Sequence, residues 1–142
     1  MRLLTAAGDQ LRRAQGLPAV LDAACDAFED ILAIIGAYED TATSTAITIV
    51  FLLAATQAAN GRDAALFAPS LPPRSLRARP ATGPPQRETT DDITTAVAGL
   101  SRLLASRLAA TAAIAVAADR AACHDAALCA RRVSDLLTGE DL

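Results

Sequence analysis

Residues 90–139 carry the most regular pattern of apolar and polar positions in the chain, with no proline and one internal glycine, Gly99. Ile93, Val97, Leu100 and Leu104 recur in alternating steps of four and three, which returns them to one face of a helix. In the same register the seam passes through Arg107 and Thr111. It then shifts by one residue and resumes as Ala115, Ala118, Ala122, Asp125 and Cys129. Thr90 ahead of Asp91 and Asp92 predicts the start, while Arg131, Arg132 and Gly139 predict the end. One helix of this length would be about 70 Å long at 1.5 Å per residue. So short a chain can accommodate that by breaking the helix or by covering it with a second copy. No glycine, proline or asparagine lies between Leu100 and Thr138 to make a turn, so a continuous helix in an antiparallel homodimer is favoured. Arg107 and Asp125, placed symmetrically about Val116, would then face each other across an interface of Arg107, Thr111, Ala115, Ala118, Ala122 and Asp125; an intramolecular hairpin folded at Val116 would give the same pairing.

Upstream, the pattern predicts three more helices. Residues 2–15 place Leu4, Ala7, Leu11 and Ala14 on one side and end at Gly16, giving a short lid helix. Residues 18–40 begin with Pro18 at the first helical position and gather Val20, Ala24, Phe28, Ile31, Ile34, Ile35 and Tyr38 on one face. Asp22, Asp26, Glu29, Asp30 and Asp40 lie opposite, as a solvated acidic stripe. Residues 44–60 are apolar on nearly all sides, which predicts the central, most buried helix, stopped by Asn60 and Gly61. A brief helical turn at 63–67 follows.

Residues 69–87 differ in composition. They hold six of the seven prolines together with Arg74, Arg77, Arg79 and Arg87, and predict a crossover or exposed linker within a single domain of residues 1–142.

Composition changes this picture little. The 52% hydrophobic fraction is largely alanine and only 3% of residues are aromatic, so the core must come from close helix contacts. All 13 basic residues are arginine, the bias of a GC-rich bacterial or phage genome. A net charge of −3 gives no general attraction to nucleic acid. Residues 41–61 are uncharged, but their apolar centre is about half the ~20 residues a membrane span requires. Cys25, Cys123 and Cys129 match no zinc spacing and read as buried thiols in a reducing cytoplasm.

Candidate chemistry is sparse. His124, the sole histidine, lies near Asp119 and could form a metal or polar site with Asp26 and Glu29 of the second helix. Adjacent helical side chains diverge by about 100°, so Cys123, His124 and Asp125 cannot converge on one ion unaided. There is no phosphate loop, HExxH, CxxC or nucleophile elbow. The sequence therefore predicts an all-α bundle of about four helices with a long alanine-rich C-terminal helix and no cofactor. The favoured function is a non-catalytic, cytoplasmic scaffold or accessory protein acting through a homodimer or a helical partner. One alternative is a small metal-dependent enzyme or ligand-binding bundle around His124. Another is a binder of an acidic partner or nucleic acid through Arg74, Arg77, Arg79 and Arg87.

Overall fold

A computed structural model describes residues 2–39, 44–74 and 89–139. Five helices and no strand occur among the described residues: α1 (Arg2–Arg13), α2 (Leu17–Glu39), α3 (Thr45–Leu66), α4 (Thr90–Ala112) and α5 (Ala117–Thr138). Local signals explain several boundaries. Gly16 and Gly139 adopt φ of 84° and 75°, the left-handed region that only glycine enters without steric cost, and they follow α1 and α5. Ser44 caps α3 by accepting the Ile47 N–H at 3.2 Å. α4 is capped by Thr89 rather than Thr90. Its hydroxyl accepts the Asp92 N–H at 3.1 Å while the Asp92 carboxylate accepts the Thr89 N–H at 3.0 Å. Pro18 occupies the second position of α2, since the helix starts at Leu17.

α2, α3, α5 and α4 form a ring of packed neighbours, and α1 lies over α2 and α4. Phe28 meets Gly61, and Ser70, just beyond α3, meets Asp119 in the first turn of α5, so neighbours in the ring run antiparallel. The arrangement is a four-helix bundle with α1 as a lid. Its base gathers the end of α1, the start of α2, the end of α3 and the turn between α4 and α5.

The expected long C-terminal helix is two helices. It breaks at residues 113–116, and α5 folds back along α4. No glycine is needed, because Ala113 (φ −62°, ψ −25°) and Val116 (φ −69°, ψ 162°) lie in regions open to any residue. The last turn tightens through bonds from Ile114 N–H to Thr111 and from Ala115 N–H to Ala112. Val116 then takes the extended conformation that suits a β-branched side chain. The hairpin buries Leu104, Leu108, Ala112, Ala122, Cys123, Ala126 and Ala130 within one chain. This removes the apolar seam that made a partner helix necessary.

Two further expectations change. α3 does not stop at Asn60 and Gly61 but continues to Leu66, because Gly61 faces inward. A Cβ there would lie 2.5 Å from the Phe28 ring and 3.1 Å from Cys129 Cβ. Glycine serves close packing here, not chain reversal. The most buried helix is α2, not α3: it contacts α1, α3 and α4, and all seven residues of its expected core face are buried. Among the described residues α3 packs chiefly on α2 and α5, and Ile49, Leu52 and Leu53 on its other side stay exposed.

Gly61→Ala should therefore destabilise the fold by about 1–3 kcal/mol through overpacking. Gly99→Ala, at an exposed helical site with open space, should stabilise it by about 0.5–1 kcal/mol. Urea unfolding followed by circular dichroism measures both.

Candidate interaction surface and the polar tie at the base

The uncovered side of α3 is apolar. Ile49, Leu52 and Leu53 are exposed, Leu52 at 57%, and farther along the same helix face Leu66 and Phe67 are exposed, Phe67 at 84%. These positions recur in steps of three and four through Thr56, Asn60 and Asp63, so they form one stripe. The α4–α5 turn at the base also exposes Ile114 and Val116. Large apolar groups this exposed and this regularly spaced mark an interaction surface more often than scattered surface residues do.

Beneath the stripe, the chain leaving α3 is fastened at two points. Asp119, third residue of α5 and 2% exposed, accepts the Ser70 backbone N–H at 2.9 Å and the Ser70 hydroxyl at 2.7 Å. Its carboxylate also sits at the positive end of the α5 dipole. Four residues on, Arg74 enters the acidic side of α2. It reaches Asp22 Oδ1 at 2.6 Å, the Asp22 carbonyl at 3.0 Å, Asp26 Oδ1 at 2.5 Å and Glu29 at 3.9 Å. Gln10 of α1 adds a long contact to Asp26 at 3.5 Å.

The acidic stripe of α2 is accordingly not a solvated face: Asp26 and Asp30 are buried, Asp26 at 6%. Burial alone would lower the pKa of Arg74, but its hydrogen bond and charge contact with Asp26 outweigh that and raise it above the usual value. Cys25, under the same carboxylates, is pushed up to about 11, chiefly by burial and further by Glu29, Asp22 and Asp26, against the lowering effect of Arg74.

The expected site residues disperse. Asp119 is occupied by Ser70, Asp26 and Glu29 by Arg74, and His124 is exposed on α5. No cluster of three metal-ligating residues occurs among the described residues. Arg107 and Asp125 do not pair. Arg107 Nη2 donates to the Ala14 carbonyl at the end of α1, and Asp125 is exposed. Of the expected interface, Thr111, Ala115 and Ala122 are buried within the chain, and Ala118 is exposed. Arg74 belongs to the base rather than to an exposed linker, while Arg77, Arg79 and Arg87 lie outside the described residues, as does Asp40. Sequence reasoning missed Ser70, whose partner is 49 residues away, and placed Leu52 and Leu53 in the core. Among the described residues no helix is long and apolar enough to cross a membrane. No family model, curated protein or solved structure matches the chain at a significant level.

Arg74→Ala leaves three carboxylates without their cation and should cost about 2–3 kcal/mol, a fall of roughly 6–10 °C in Tm, read by calorimetry. Burial pushes all three thiols up, so access sets the order: at pH 8 iodoacetamide should modify the half-buried Cys129 before the buried Cys25 and Cys123. Cys25 and Cys123 should react only on unfolding, as peptide mass spectrometry would report.

Proposed function

We propose that the protein is a non-catalytic helical interaction module that associates with a second copy of itself through the exposed face of α3. The observation that carries this reading is the apolar stripe of Ile49, Leu52, Leu53, Leu66 and Phe67, which no helix among the described residues covers. The stripe is apolar at both ends and polar between them, at Thr56, Asn60 and Asp63, whose carboxylate pairs with Arg62 at 3.2 Å. A second α3 laid antiparallel sets Ile49 of each copy near Phe67 of the other, the self-complementary pattern of a two-fold interface. The reading keeps self-association and moves it from the α4–α5 seam, which is spent within the chain, to α3. The compartment that suits this reading is a reducing cytoplasm, in which thiols such as Cys25, Cys123 and Cys129 stay free.

Light scattering in line with size-exclusion chromatography should give twice the mass of one chain. Leu52→Glu with Leu53→Glu should weaken the dimer by at least about 100-fold, since each lost leucine contact contributes about 1.5–3 kcal/mol and 1.4 kcal/mol is tenfold. Helix content should not change. A wild-type monomer at the highest soluble concentration, or a dimer indifferent to both substitutions, would contradict the reading.

A further inference from the structure

The α4–α5 hairpin carries a groove of about 610 Å³ on its outer side. Because α5 runs back along α4, Ala109 falls toward the His124 end of the groove and Arg102 toward the end that holds Arg131 and Asp135. The middle is apolar, floored by Ala105, Ala109 and Ala127 and edged by the exposed Leu128. One end is cationic. Arg102 and Arg131 come from positions far apart in sequence, and neither makes an ion pair with a described residue, although the chain as a whole is acidic. Asp135, one turn beyond Arg131, offsets one of these charges and leaves the end net positive. His124 marks the other end, two turns from Arg131 and about 10 Å away along the axis. None of the α3 stripe lines this groove, so it is separate from the association surface.

We propose that the groove binds a small amphiphilic anion, with a carboxylate or phosphate head on Arg102 and Arg131 and an unbranched apolar tail lying along the alanine floor toward His124. A planar guanidinium pair suits an oxyanion, whose oxygens accept from both side chains. The small side chains of the floor leave room for a tail without a rearrangement of the helices. A cationic amphiphile would meet the same floor but would be repelled by the head site.

Isothermal titration with decanoate, below its micelle concentration, tests this on the full chain. Saturable binding at about one site per chain is expected, with no comparable binding of acetate, which lacks the tail, or of decyltrimethylammonium, which inverts the head. Arg102→Gln and Arg131→Gln should each weaken decanoate by about tenfold or more, the loss of a charge-assisted contact. Ala105→Leu, which keeps both arginines but fills the floor, should weaken it as well. Decyl phosphate in place of decanoate distinguishes the two head groups. The Leu52→Glu, Leu53→Glu protein should bind normally, so failure of the dimer and failure of the groove are read separately. Absence of saturable binding, equal binding of the cationic amphiphile, or binding unchanged in both arginine variants would overturn the proposal.

Discussion

The Asp119 carboxylate fixes the point at which the chain turns back on itself. It is buried at the first turn of α5, where the dipole favours a negative charge, and it accepts two hydrogen bonds from Ser70 at the end of the chain leaving α3. One side chain thereby holds the start of one helix against the end of another, at a base where the reversal at residues 113–116 has no special turn residue to secure it. Removing water from a carboxylate is costly unless its oxygens are bonded, and both are. The Arg74 contacts with Asp22 and Asp26 extend the same tie to α2. The base is therefore joined by polar bonds, while the body of the bundle is joined by apolar packing.

That packing follows from the composition. With few aromatic residues, bulk must come from a small number of large side chains set into alanine and glycine surfaces. Phe28 is fully buried against Gly61, where a methyl group would not fit. The alanines of α5, fully buried at Ala126 and Ala130, let α3 and α4 approach it from both sides. Among the described residues, four helices around such a core leave the outer side of α3 without a neighbouring helix, and its exposed apolar stripe is the consequence of that geometry.

Much of the fold was legible in the sequence because it depends on local chemistry. The apolar period of α2, the acidic pair that opens α4 and the glycines after α1 and α5 act within a few residues of where they stand. A fold at Val116 is open from the sequence but disfavoured there, because a turn built only from ordinary backbone conformations leaves no mark in residue type. Gly61 misled for the opposite reason: glycine is ambiguous between ending a helix and admitting a neighbour, and the neighbour, Phe28, is more than thirty residues away. The acidic residues of α2 look solvated in the sequence since their cation, Arg74, arrives from another part of the chain. The exposed leucines of α3 were read as core because an apolar helix in a small bundle is expected at the centre, and only the helix arrangement shows that α2 holds that place.

Every part of this account requires that residues 90–139 fold back within one chain. Spin labels on Ser106→Cys and Leu128→Cys, in a background with Cys25, Cys123 and Cys129 replaced by alanine, measure this directly. Helices packed about 8–10 Å apart should bring the labels within about 20 Å of each other, and dilution with unlabelled protein should leave that distance unchanged. A separation of about 33 Å, the rise of a continuous helix between these positions, or a short distance that vanishes on dilution, would contradict the hairpin.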